Sequence, residues 1–151
     1  MAKAKTFLLV EDDAYYALFV VTEFEKIRVQ TDLQVVRDGV EARNYVAGLS
    51  GYANRDRYPL PDVILLDLSL PRVNGFEFLE WLRSPSAHPH RLIPVVVMSS
   101  SDSPEEVNRA YRLGANSYLI KPVNWEEFRE RIKTVAAYWA AHVQAPQIES
   151  A

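Results

Sequence analysis

With 151 residues, 48% of them hydrophobic and 25% charged, the chain has the make-up of a globular domain and is too apolar for an intrinsically disordered one. A formal net charge of -3 supplies no field that would draw it to nucleic acid or to an anionic membrane. The absence of cysteine removes disulfides, thiolate metal sites and thiol nucleophiles.

The chain starts Met1-Ala2-Lys3-Ala4-Lys5 and runs straight into the strand candidate Thr6–Val10, which is too short for a signal-peptide core. That run ends in Glu11-Asp12-Asp13. A helix is expected from about Ala14 to Arg28, then a strand over Leu33–Val36 and a helix over Val40–Ala47. Gly48–Pro61, with two glycines and two prolines, reads as a long irregular connection. Next comes Asp62-Val63-Ile64-Leu65-Leu66-Asp67, whose continuous apolar centre predicts a fully buried parallel strand over Val63–Leu66.

A helix follows at Gly75–Arg83, and then a proline-rich loop, Ser84–His90. His88 and His90 have no third ligand nearby in the sequence, so they read as solvated loop residues rather than a metal site. Val95–Met98 predicts a strand ending at Ser99. Ser103-Pro104-Glu105-Glu106 then predicts a serine-capped helix start with a capping-box glutamate, running to Leu113 before Gly114. Ser117–Ile120 predicts the last strand, ending at Lys121. Asn124 is expected to cap a final helix over Trp125–Val143, with Phe128, Ile132, Val135 and Trp139 as its core-facing stripe.

Strands alternating with helices imply βαβ units and a parallel sheet covered on both faces. One domain is expected over 1–151, with a core from about 6 to 143 and a short polar tail over 144–151. No apolar run approaches the ~18 residues of a membrane span, so the default location is cytoplasmic.

Asp67 carries the functional reading. An unpaired carboxylate at the end of a buried strand costs on the order of several kcal/mol, so packing does not explain it. The carboxyl edge of an open α/β sheet is where ligands bind. Three other strand candidates end in Glu11-Asp12, Ser99 and Lys121. Carboxylates, a hydroxyl and an ammonium together describe a metal-and-phosphate site. An aspartate that accepts a phosphoryl group needs a divalent cation to offset the facing negative charges, and Mg²⁺ takes carboxylates, carbonyls and waters. Glu11, Asp12 and Asp67, with the backbone carbonyl of Ser69, are the candidate ligands. Lys121 supplies a compact positive charge and Ser99 a hydrogen-bond donor.

In order and spacing, Leu8-Leu9-Val10-Glu11-Asp12, Asp67-Leu68-Ser69-Leu70-Pro71 with Gly75, Pro94-Val95-Val96-Val97-Met98-Ser99, and Gly114 through Pro122 resemble the receiver domain of two-component response regulators. The resemblance runs from about Thr6 to Trp139. It implies a flavodoxin-like, doubly wound, five-stranded parallel sheet of order 2-1-3-4-5 with five helices in an αβα sandwich. It also implies that Asp67 is the phosphoacceptor and that Glu11 and Asp12 hold Mg²⁺, for which Mn²⁺ or another divalent cation can substitute. Ser99 would be the hydroxyl switch, Lys121 the phosphate-sensing lysine and Tyr118 the switching aromatic.

Such a protein takes its phosphoryl group from a sensor histidine kinase. It is a signalling protein rather than an enzyme, promoting only its own phosphorylation and slow dephosphorylation. Its output is a changed surface on the fourth helix, fifth strand and fifth helix, read by a downstream protein, a phosphotransfer protein or a second copy of itself. Trp125, Tyr138 and Trp139 are aromatic anchors suited to such contacts, and a homodimer is expected. The long connection before Pro61 and the Tyr138-Trp139 ending are similar to stand-alone receivers that partner phytochrome-type kinases, which makes a bacteriophytochrome a candidate kinase. Glu11 where aspartate is commoner, Ser99 where threonine is commoner and Val123 where an aromatic is frequent depart from the family pattern.

Two rivals fail on local sequence. A phosphohydrolase with an aspartyl nucleophile wants an acid two residues later, where this chain has Ser69. A flavin carrier wants a glycine- and hydroxyl-rich phosphate loop after the first strand, where this chain places Glu11, Asp12 and Asp13. A receiver that has lost phosphorylation and serves only for docking would still carry this fold.

Overall fold

The computed structural model describes residues 4–87 and 89–148, so His88 and the end of the expected tail lie outside the described residues. Five strands, β1 (Lys5–Val10), β2 (Thr31–Val36), β3 (Val63–Leu66), β4 (Val95–Ser99) and β5 (Ser117–Ile120), form one parallel sheet in the order β2-β1-β3-β4-β5. The helices α1 (Ala14–Glu25), α2 (Gly39–Ala47), α3 (Gly75–Arg83), α4 (Pro104–Arg112) and α5 (Trp125–Ala137) are the crossovers. This is the flavodoxin-like arrangement that the family resemblance implies.

Period-2 alternation sends strand side chains to two separate cores. Leu8, Val10, Ile64, Leu66, Val95 and Val97 pack with α2, α3 and α4 through Tyr45, Phe78, Leu79, Leu82 and Ala110. Phe7, Leu9, Val63, Leu65, Val96 and Met98 pack on the other face with α1 and α5 through Val20, Phe24, Phe128 and Ile132. Because both faces are covered, the central strands read as unbroken apolar runs.

Several boundaries differ from the sequence expectation. Helix α1 stops at Glu25 rather than Arg28, because Lys26 and Ile27 donate to carbonyls three residues back and tighten the last turn. Helix α5 gives way at Tyr138–His142 to a wider π-helical turn, where the rings of Tyr138 and Trp139 meet edge to face at 5.7 Å. Trp139 packs at the margin of the α1–α5 core instead of within it. Ser103 makes no side-chain cap on α4; its own N–H is taken by Ser101 Oγ at 3.2 Å, and Pro104 with Glu105 and Glu106 fills the first turn. Asn124 does cap α5, accepting from Glu126 N–H at 2.8 Å.

The connection over 48–61 carries no strand or α-helix, yet it is tied down. Gly48 ends α2 in the left-handed region (φ 72°), which glycine adopts without strain. Arg55 then donates to the carbonyls of Tyr45 (2.8 Å) and Val46 (2.7 Å) in the last turn of α2 and to that of Tyr58 (3.3 Å) in the connection itself, pinning the segment to the helix end. Tyr45, Tyr52 and Tyr58 form a ring cluster beneath it. Among the described residues no helix is long and apolar enough to cross a membrane.

Candidate functional site

Backbone pairing carries on past the strand ends and fixes where the site side chains stand. Glu11 N–H donates to Val36 O at 3.0 Å, Asp67 N–H to Val10 O at 3.0 Å and Lys121 N–H to Ser99 O at 2.7 Å. Each polar residue is therefore held in sheet register one step beyond its apolar strand. The result is a single cleft of about 850 Å³ at the carboxyl edge, lined by Glu11, Asp12, Asp67, Ser69, Ser99 and Lys121. All the residues picked from the sequence at this edge come together there.

Glu11, Ser99 and Lys121 are buried, Asp67 is 8% exposed and Asp12 stands out to solvent. Glu11, Asp12 and Asp67 can each offer a carboxylate oxygen within 4.8 Å of the other two. Lys121 Nζ lies 2.5 Å from Glu11 Oε1 and 3.7 Å from Asp67 Oδ2. Burial pushes the Glu11 carboxyl up to about 7; the Lys121 charge opposes the rise and neighbouring Asp67 adds to it. Three carboxyl groups face one ammonium, so the cleft is short of positive charge. Its donor set is oxygen only, which fits a hard divalent cation.

The loops around the cleft are built to hold it. Asp13 caps α1, accepting from Tyr15 and Tyr16 N–H at 2.8 and 3.1 Å. Asn74 and Glu77 form a reciprocal capping box at the start of α3. Between them and Asp67 sits Gly75, where an added Cβ would lie 2.4 Å from Asp67 O and 2.6 Å from Leu68 Cα. Only glycine lets α3 approach the Asp67 loop this closely. Arg72, at φ 64°, ties the same loop to the N-cap of α2 through Asp38 Oδ2 at 3.1 and 2.8 Å. Ser69 N–H donates to Asp67 Oδ1 at 3.3 Å.

On the opposite wall, Ser99 Oγ accepts from Ser101 N–H at 3.1 Å, and the Tyr118 hydroxyl donates to Ser101 O at 2.8 Å. Tyr118 thus already leans on the β4–α4 loop and packs against the α2–α4 core. The sequence reading missed this bond, and also Tyr16, whose ring centroid lies 4.3 Å from Lys121 Nζ. Neither had a sequence signal, since both depend on which way a helix face or loop turns.

The response regulator receiver domain matches residues 7–133. The chain belongs to this family. It is 34% identical to a probable methanogenesis regulatory protein, FilR2, of Methanothrix harundinacea, over 92% of this chain and 86% of that one. It is 32% identical to the response regulator Rcp1 of Synechocystis, over 94% of this receiver and 93% of Rcp1. A crystal structure of the phosphorylated cyanobacterial phytochrome response regulator RcpA superposes with a TM-score of 0.87 at 31% identity, covering 96% of this chain and 100% of RcpA. The Mn²⁺-bound form of Rcp1 superposes with a TM-score of 0.84 at 30% identity, covering 95% of this chain and 99% of that one. Receivers of this family are signalling proteins rather than ordinary enzymes, and histidine kinases phosphorylate them.

Proposed function

We propose that this chain acts as a stand-alone response regulator, a single receiver domain over 1–151 that accepts a phosphoryl group on Asp67. The observation that carries the reading is the convergence of Glu11, Asp12, Asp67, Ser99 and Lys121 on one strand edge, with the lysine ammonium between two carboxylates. An Asp67 carboxylate oxygen attacks phosphorus on a kinase phosphohistidine. The P–O bond forms as the P–N bond breaks, and the departing imidazole nitrogen keeps the electron pair and takes up a proton. Little else is required of the protein beyond position and charge.

Glu11, Asp12, Asp67 and the Ser69 backbone carbonyl would hold Mg²⁺, or Mn²⁺ as in the Rcp1 structure, and the bound ion would offset the charge between carboxylate and phosphoryl oxygens. Lys121 pairs with the phosphoryl group from the other side, and the Ser99 hydroxyl donates to it. Movement of Ser99 and its loop changes the seat of Tyr118 and hence the α4–β5–α5 surface, where the signal is read. Self-catalysed phosphorylation and slow hydrolysis are its only chemistry.

The partners we assign are a sensor histidine kinase and either a downstream protein or a phosphotransfer protein in a relay, all cytoplasmic. Likeness to RcpA supports a phytochrome-type kinase as donor. Exposed Trp125 and Tyr138 support self-association as a homodimer. Incubation with acetyl phosphate and Mg²⁺ followed by intact mass measurement tests the core of the reading. A gain of one phosphoryl group, lost with chelator and in Asp67→Asn, is expected; phosphorylation of Asp67→Asn at the wild-type level would refute the assignment.

A further inference from the structure

An ammonium carries three N–H donors. For Lys121 one direction is taken by Glu11 Oε1 at 2.5 Å and another faces Asp67 Oδ2 at 3.7 Å, while the side chain is only 4% exposed, so water can satisfy little of the remainder. Against the ammonium also lies the ring of Tyr16, its centroid 4.3 Å from Nζ. A cation held against an aromatic face out of contact with water is attracted by the ring quadrupole. The same ring meets Trp125 at 5.3 Å and Phe128 at 5.5 Å, and Trp125 also meets Phe19 at 4.7 Å. Trp125 is 46% exposed, so two ring contacts lead from the buried lysine to the surface.

We infer that Tyr16 is a positioning residue for phosphoryl transfer to Asp67, holding the Lys121 ammonium against its ring face, and that Trp125 reports the lysine's position at the surface. This rests on the proposed role of Asp67. To pair with an incoming phosphoryl group the ammonium must loosen its contact with Glu11. A ring face suits that movement because its attraction is broad, whereas a hydrogen-bond acceptor would fix one geometry. Another carboxylate in this place would compete with the phosphoryl group for the lysine. An aliphatic side chain would leave the ammonium desolvated with nothing in return.

The test follows phosphorylation by acetyl phosphate with Mg²⁺, in which the Asp67 oxygen–phosphorus bond forms and acetate leaves with the electron pair. Tyr16→Leu should slow the reaction about thirtyfold, the rate equivalent of one desolvated cation–π contact. Tyr16→Phe, which keeps the ring face, should restore the rate to within about twofold of wild type. In a Lys121→Ala background Tyr16→Leu should add nothing, because the contact it removes is already gone. Beryllofluoride should shift tryptophan fluorescence in the wild type; the shift should vanish in Trp125→Phe and shrink in Tyr16→Leu.

A wild-type rate in Tyr16→Leu, or an equal slowing with and without Lys121, overturns the inference while leaving the receiver reading intact. A wild-type protein that neither gains phosphate nor responds to beryllofluoride overturns both. Thermal unfolding of each variant is measured first; if Tyr16→Leu does not fold, Tyr16→Met, with a long flexible apolar side chain, takes its place in the comparison.

Discussion

Lys121 Nζ sits closer to Glu11 Oε1, at 2.5 Å, than to Asp67 Oδ2, at 3.7 Å. The ammonium is thus held mainly by a carboxylate of the proposed cation site, leaving Asp67 less encumbered. The lysine and a divalent cation then compete electrostatically for the same negative charge, and removal of either charge has a predictable sign. Lys121→Ala should bind Mg²⁺ more tightly, by at least about fivefold, the ~1 kcal/mol that unit charges about 4 Å apart exert even at the dielectric of water, yet accept phosphate more slowly. Glu11→Gln should weaken Mg²⁺ binding by at least about tenfold, the loss that removing even an outer-shell partner of a metal ligand brings. Mg²⁺ titrations by tryptophan fluorescence check both, and weaker binding in Lys121→Ala would contradict the competition.

The ion pair of Arg72 and Asp38 gives a second handle. Burial alone would raise the Asp38 carboxyl, but hydrogen bonds from Glu41 N–H and the Arg72 guanidinium, with the arginine's charge, hold it below the ordinary value of 3.8. The folded state therefore binds fewer protons here than the unfolded chain does as acid is added. Its contribution to stability is present above pH 3.8 and is lost as pH falls through the depressed folded value. Glu23, buried beside Lys26 and Arg129, shifts in the same direction despite its own burial. Urea unfolding of Asp38→Asn, which keeps a capping oxygen but no charge, should fall less steeply between neutral and acid pH than the wild type. Asp38→Ala should lose about 0.5–2 kcal/mol at neutral pH through the missing helix cap. An Asp38→Asn curve parallel to the wild type would show that this carboxylate does not contribute to acid sensitivity.

Gly75 separates packing from chemistry. A methyl group at this position would lie 2.4 Å from the carbonyl oxygen of Asp67, a backbone atom that cannot swing aside. Gly75→Ala must push α3 away from the Asp67 loop, at about 1–3 kcal/mol by the usual cost of overpacking. Because the displaced atoms belong to Asp67 and Leu68, phosphorylation should slow as well. Thermal unfolding and the acetyl phosphate assay on one sample check the pair of effects. A destabilised variant phosphorylated at the wild-type rate would show that the loop position is not set by this contact.

What could be read from the sequence follows how local each cause is. Asp67, Glu11, Ser99 and Lys121 could be placed because each ends an apolar run, and a parallel sheet brings strand ends to one edge whatever the loops do. The cap Asn124 could similarly be read from its own helix start. Tyr16 over Lys121 and Arg72 on Asp38 could not, since those partners meet only after the crossovers fix which helix face turns toward the sheet edge. Ser103 shows the limit of local rules: its spacing to Glu106 is that of a capping box, but the ordering of the preceding serine loop claims its N–H first. The tightened last turn that ends α1 before Arg28 and the π-helical turn after α5 likewise had no local signal in the sequence.

The bond from the Tyr118 hydroxyl to Ser101 O, 2.8 Å long, joins β5 to the loop that follows Ser99. Ser101 N–H in turn donates to Ser99 Oγ, so the hydroxyl proposed to follow the phosphoryl group is two hydrogen bonds from the ring proposed to switch. If Ser99 turns toward a phosphoryl group, its oxygen ceases to accept from Ser101 and the loop is freed to move with Tyr118. Tyr118→Phe keeps the ring but cuts this link, and should cost about 0.5–1.5 kcal/mol, the net value of one intramolecular hydrogen bond. It should also raise hydrogen exchange at the amides of Ser101 and Ser103 before phosphorylation, making the unphosphorylated loop resemble the beryllofluoride-bound one. Amide exchange with and without beryllofluoride tests this. If Tyr118→Phe leaves the loop as protected as in the wild type, Ser101 is held by Ser99 alone, and the tyrosine follows the switch without restraining it.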